Sequence, residues 1–223
     1  MSTIKPHRRV NDILLGPLER PALHWLAAHM PAWINPDILT GIGLVGSVVV
    51  FGSYWLSNRH PAFLWLASLG LVINWLGDSL DGTLARYRKI ERPKYGFFVD
   101  HTLDAFSELL VVLGLGISPY VRFDIACLAL IGYMLISVLV YVRTYVEGVF
   151  KISYGKLGPT EVRVIIIILN AFMFFVGAPL VGHPFGIILS IYDVVVAGIA
   201  IILFLIYAIS TIRQAVALAR VGE

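Results

Sequence analysis

The chain has 223 residues, of which 58% are apolar and only 14% charged, against about 45–50% and about 25% in soluble domains. That balance excludes an ordinary soluble globule, and at about 20 apolar residues per membrane crossing the length suits one all-α membrane domain, residues 1–223, with six transmembrane helices behind an amino-terminal interfacial amphipathic helix. A net charge of +3 is too small and dispersed for a nucleic-acid binder, and the single cysteine, Cys127, excludes an internal disulfide and a Cys-based zinc site.

Residues 10–30 mix Val10, Ile13, Leu14, Leu18, Leu23, Trp25 and Leu26 with Asp12, Glu19, Arg20 and two histidines, and Pro17 and Pro21 interrupt them. This predicts a helix lying along the membrane surface rather than across it. Arg8-Arg9 is not followed by the compact apolar region and small-residue cleavage site of an export signal, so no removal is expected. Asn35-Pro36-Asp37 places an N-cap residue, a proline at the first helical position and an acid at the positive helix end, which opens the first span. Spans are predicted at 36–57, 61–84, 97–118, 123–146, 160–182 and 186–211. In the first of them, Gly41-Ile42-Gly43-Leu44-Val45-Gly46 matches the dinucleotide-binding string literally. No strand precedes it and no βαβ unit surrounds it, whereas small residues such as Gly43 and Ser47, four apart, let membrane helices approach closely.

Fifteen of the seventeen Lys and Arg fall in the amino-terminal segment, the second and fourth connections and the tail, leaving only Arg59 and Arg122 for the other connections. Both termini and the second and fourth loops are therefore expected on the cytoplasmic side, with Trp25 and Trp33 in one interfacial belt and Trp55 and Trp65 in the other.

The second and third spans carry the chemistry. On a helix, Asp78, Asp81, Gly82 and Ala85 share one face, as do Gly96, Asp100 and Asp104. Two helices joined by about ten residues are antiparallel neighbours, so these faces can meet just inside the cytoplasmic boundary. Carboxylates within a membrane are costly and repel one another. Two divalent cations, Mg²⁺ or Mn²⁺, would neutralise four of them with ligands of the right hardness; pairing with Arg86 and its neighbours, or protonation, is the plainer alternative. Gly82 and Ala85 remove side-chain bulk from the acidic face, which suits either a ligand or a packed helix. The adjoining loop holds five basic residues and Glu91, suiting a phosphate-bearing substrate or anionic headgroups.

The spacing D-x-x-D-G-x-x-A-R-x9-G-x-x-x-D-x-x-x-D, complete from Asp78 to Asp104, resembles the signature of the CDP-alcohol phosphotransferases, and the six spans with an interfacial leading helix extend the likeness over most of the chain. The resemblance implies an enzyme of phospholipid synthesis that joins a CDP-linked donor to an alcohol acceptor and releases CMP. It implies Asp78, Asp81, Asp100 and Asp104 as ligands of two metal ions, Asp104 also as the base toward the acceptor hydroxyl, and Gly82, Ala85 and Arg86 as the border of the nucleotide. It further implies a homodimer with a polar cavity open to the cytoplasm. Asp100-His101-x-x-Asp104 is similar to the subgroup that uses CDP-amino alcohols, with His101 either a base or a hydrogen-bond partner of a ligating carboxylate; CDP-diacylglycerol is the other donor class.

Around this cluster, Arg143, Lys156 and Arg163 flank the fourth loop as candidates for a substrate phosphate, although Arg143 and Glu147 also suit a local pair. Asp37 and Thr40 are candidates to approach the nucleotide from the first span, although helix capping explains Asp37 more simply; Glu108, one turn beyond Asp104, is a candidate tuning residue. Asp193 lies in the outer part of the last span and needs a polar partner. The competing class is a cation or proton transporter using the same acids. Transporter sites sit near the midplane on broken helices, whereas Asp78 lies seventeen residues into its span, near the inner surface.

Overall fold

A computed structural model of the chain describes residues 14–147, 158–182 and 188–221. Within these residues seven helices follow one another: α1 (Gly16–His29), α2 (Pro36–Leu56), α3 (Phe63–Arg88), α4 (Pro93–Gly116), α5 (Phe123–Glu147), α6 (Pro159–Val176) and α7 (Ile191–Val221). Among the described residues α2, α3, α5, α6 and α7 are long and apolar enough to cross a membrane; α4 is as long, at 24 residues, but carries Asp100, Asp104 and Glu108. With α1, of 14 residues, they form the nearly all-helical membrane bundle that composition predicts.

Local chemistry sets the helix ends. α2, α4 and α6 open on prolines, whose missing N–H is one the first turn leaves unpaired anyway. Asn35 caps α2 by accepting the Ile38 N–H at 2.9 Å. The helices also overrun the apolar windows. α3 continues through Arg86 and Arg88 to Lys89, which takes the left-handed conformation (φ 56°), and α4 starts at Pro93, so residues 89–92 replace the predicted loop of 85–96. Charged side chains end an apolar window without ending a helix, and arginines suit its negative end. In the opposite direction, the predicted span 160–182 stops being helical at Gly177, whose φ is 75°, ahead of Pro179. A short antiparallel pair follows, β1 (Leu180–Gly182) with β2 (Leu189–Ser190), which no apolar window announces.

The centre of the bundle is α2 against α3. A Cβ added at Gly46 would lie 2.5 Å from the Asn74 nitrogen and one at Gly77 2.3 Å from the Gly43 nitrogen: Gly43 and Gly46 of the dinucleotide-like string serve backbone contact, whereas Gly41 meets nothing within 4 Å. α4 lies on α2, α5 joins α4 to α7, and α6 and α1 both lie on α3. Tyr54 donates to Asn170 Oδ1 at 2.8 Å and Asn170 Nδ2 to Ser68 at 3.2 Å, a buried polar link through α2, α6 and α3.

Hydrogen bonds define the two ends. At one, Arg88 donates to the carbonyls of Met30 and Pro31, each at 2.9 Å, and of Ile34, and Arg92 pairs with Asp37. Glu161 accepts the Leu15 N–H at 2.7 Å, and Glu19 accepts from Thr160 at 3.0 Å and from the indole of Trp75 at 2.8 Å, tying α1 to α3 and α6. At the other end Asn58 reaches the Ile117 carbonyl at 2.8 Å, and Asp193 accepts the N–H groups of Arg122 and Ser190 at 2.7 and 2.8 Å. Asp193 thus has the polar partners its position demands.

Candidate active site

The acids meet at the first of these ends, where α3 and α4 are joined by a short turn. Carboxylate oxygens of Asp78, Asp100 and Asp104, all half-buried, lie within 4.8 Å of one another. Asp81 occupies the same face of α3 but turns toward α2, where Thr40 Oγ1 donates to its Oδ2 at 2.5 Å. A narrow crevice beside the three acids is walled by Thr40, Gly43 and Leu44 of α2, Asn74 of α3, and Leu103 and Ser107 of α4. Both helices run unbroken through the cluster.

Arg163 of α6 reaches into this group. Its Nη2 donates to Asp78 Oδ2 at 2.7 Å and its Nε to Asn74 Oδ1 at 2.9 Å. The sequence marks Arg163 only as a flanking cation and does not single out Asn74; the signal it offers is an asparagine one turn before Asp78 inside an apolar span. His101 Nδ1 lies 3.2 Å from Asp100 Oδ2, and its ring stacks on Phe97 with centroids 4.2 Å apart and faces Tyr141 of α5 at 5.7 Å. This geometry places the histidine against a cluster carboxylate.

Of the other candidates, Gly82 lies under Arg86: a Cβ on Gly82 would be 3.3 Å from Arg86 Nη1, and Arg86 Nη2 donates to Thr83 at 3.2 Å. Arg86 itself is exposed and Ala85 half-buried. Asp37 is engaged by Arg92 rather than by the cap, which Asn35 provides. Arg143 is half-buried near the end of α5, two residues past Tyr141. Lys156 lies outside the described residues. Glu108, deeper in α4, is hydrogen-bonded to Tyr133 of α5.

The donor set fits a hard divalent cation. At a metal–oxygen distance of about 2.0–2.1 Å, ligands on opposite sides of Mg²⁺ are about 4 Å apart, so oxygens within 4.8 Å of one another need small adjustments to share one ion. Arg163 can offset only one of the negative charges that the acids carry when ionised. Half-buried carboxylates so close together are compatible only with cations between them or with protons taken up.

Comparison with known proteins agrees with the geometry. The family model of the CDP-alcohol phosphatidyltransferases matches residues 33–221. Cholinephosphotransferase 1 of Danio rerio is 32% identical over 69% of this chain and 42% of its own length, and the Gallus gallus protein of that name is 30% identical over 82% of this chain and 57% of its own. Archaetidylinositol phosphate synthase of Pyrococcus horikoshii is 33% identical over 47% of this chain and 52% of its own. The chain spans about half the length of the curated relatives it matches.

Proposed function

The chain belongs to the CDP-alcohol phosphatidyltransferase family, and we propose that it transfers a substituted phosphate from a CDP-linked donor to an alcohol in the membrane, with release of CMP. The observation that carries this reading is the trio Asp78, Asp100 and Asp104, with carboxylate oxygens within 4.8 Å, on two unbroken helices that the family match covers. Unbroken helices with the acids at one end of the bundle also argue against a transporter.

Asp78, Asp100 and Asp104, joined by Asp81, would hold two divalent ions, Mg²⁺ or Mn²⁺. Such ions, when bound, draw charge from the attacked phosphorus and stabilise the departing CMP. The rest falls to the chain. Gly82, Ala85 and Arg86 border the nucleotide beside the acids, with Arg86 lying over Gly82, and Thr40 holds Asp81 against α2. Arg163 faces the acids with a fixed positive charge that suits a phosphate oxygen, and Arg143 is a further candidate for a substrate phosphate. Asp104 takes the proton of the acceptor hydroxyl as that oxygen bonds to the donor phosphorus and the bond to CMP breaks. His101, against Asp100, orients that carboxylate. The Asp100-His101-x-x-Asp104 string and the cholinephosphotransferases among the relatives favour a CDP-amino alcohol over CDP-diacylglycerol as donor.

In the same reading the site opens to the cytoplasm and two copies associate in the membrane. The lysine and arginine count supports the sidedness, and family likeness supports the dimer. Purified protein with Mg²⁺ or Mn²⁺ should release CMP from at least one of CDP-choline, CDP-ethanolamine and CDP-diacylglycerol when an acceptor is present. Asp100→Asn should reduce that release by about a hundredfold or more, the scale of losing a transition-state charge contact. Wild-type protein inert toward all three donors, or an Asp100→Asn variant of near-normal rate, would refute the assignment.

A further inference from the structure

We propose that Asn74 is a positioning residue, fixing the guanidinium of Arg163 against Asp78 so that α6 presents its charge to the acids in one orientation. The inference rests on the transferase reading for its catalytic consequence and on geometry alone for the coupling itself. Asn74 is only 5% exposed, in a seam so tight that a Cβ on Gly46 would strike its backbone nitrogen. Its Nδ2 donates to Gly43 O at 3.0 Å and to Ser47 Oγ at 2.9 Å. Both amide protons are thus committed to α2, which leaves Oδ1 facing α6, where it accepts the Arg163 Nε–H at 2.9 Å. A flipped amide would set its NH₂ against the guanidinium and its carbonyl against Gly43 O, and both contacts are repulsive.

Two anchors on different nitrogens hold the guanidinium plane; the Asp78 contact at 2.7 Å would alone let it turn. A lysine has no rigid fork and cannot reproduce this. Gluing α2 to α3 explains the two Nδ2 bonds, but it does not require a carbonyl aimed at an arginine of a third helix. The ion pair is also well shielded, with 14% and 19% of the two side chains exposed, so the orientation of its charge is poorly screened by water.

The test is a double-mutant cycle of Asn74→Leu and Arg163→Gln in the full-length protein in lipid nanodiscs, read by CMP release and by Mn²⁺ binding followed through the spin-resonance signal of free Mn²⁺. Arg163→Gln should lower kcat/KM about a hundredfold and Asn74→Leu about tenfold, the range for charge-assisted hydrogen bonds. The double variant should match Arg163→Gln within about twofold, because Asn74 has nothing left to orient. Arg163→Gln should also tighten Mn²⁺ binding about tenfold by removing a competing cation, and the tightening should shrink below about twofold in the Asn74→Leu background. Losses that multiply in the double variant, with an undiminished Mn²⁺ shift, would overturn the proposal. Should Asn74→Leu fail to fold, Ser47→Ala, which removes one bond aiming the amide, should cost about threefold in the wild type and nothing beside Arg163→Gln; equal costs in both backgrounds would overturn it. If no CDP-linked donor yields CMP, the transferase reading falls, and the Mn²⁺ cycle alone decides whether Asn74 acts through Arg163.

Discussion

At the scale of single residues, the acids differ in what already holds them. Asp78 is held by Arg163, Asp100 has His101 at 3.2 Å, and Asp81 accepts from Thr40. The Thr40 bond is the simplest to remove. Thr40→Val keeps the side-chain shape and deletes the donor to Asp81, so kcat/KM for CMP release should fall about tenfold, the worth of a hydrogen bond to a charged group, with little change in thermal stability. An unchanged rate would mean that Asp81 needs no orientation from α2. Motif spacing makes the gathering of Asp78, Asp100 and Asp104 legible, because a signature within two adjacent helices is a local pattern, but not the turn of Asp81 toward Thr40 of α2. Arg163 is visible in the sequence only as a nearby cation, since its contact with Asp78 joins residues 85 positions apart, and periodicity along one helix carries no information about which other helix lies beside it.

Among elements, the α2–α3 pair decides whether the acids and Asn74 are in register at all. At Gly77 the two backbones lie so close that an added methyl would be 2.3 Å from the Gly43 nitrogen and 2.4 Å from the Leu39 carbonyl. Gly77→Ala should therefore destabilise the bundle by about 3 kcal/mol or more, the upper range for overpacking, seen as a lowered unfolding midpoint in detergent. Gly41→Ala on the same α2 meets nothing within 4 Å and should be neutral or stabilising by up to about 1 kcal/mol through helix propensity. Equal behaviour of the two variants would refute the close approach. The spans are readable because long apolar runs have few other uses, and Gly43 is readable as a packing residue because no strand precedes it. Helix ends are less so: Arg86 and Arg88 end the apolar window while the helix runs on to a left-handed Lys89, a conformation that nothing in the local composition signals. The β1–β2 pair escapes for a similar reason, since Leu180 and Leu189 belong to apolar runs that hydropathy alone assigns to helix.

For the molecule as a whole, the hydrogen bonds that gather Arg88, Arg92 and Glu161 at one end, and Asn58 and Asp193 at the other, turn the lysine and arginine asymmetry into a testable topology. In a Cys127→Ala background, Lys89→Cys should react with a membrane-impermeant maleimide only from the cytoplasmic face of sealed vesicles, and Arg59→Cys only from the opposite face. Labelling of both from one side would refute the alternation of spans. The Glu161 carboxylate accepts from Leu15 at the entry to α1, and two residues later on the same helix Arg163 holds Asp78. The leading helix and the anionic centre therefore hang from one turn of α6, so a force that lifts α1 pulls on the same turn that carries the cation against Asp78.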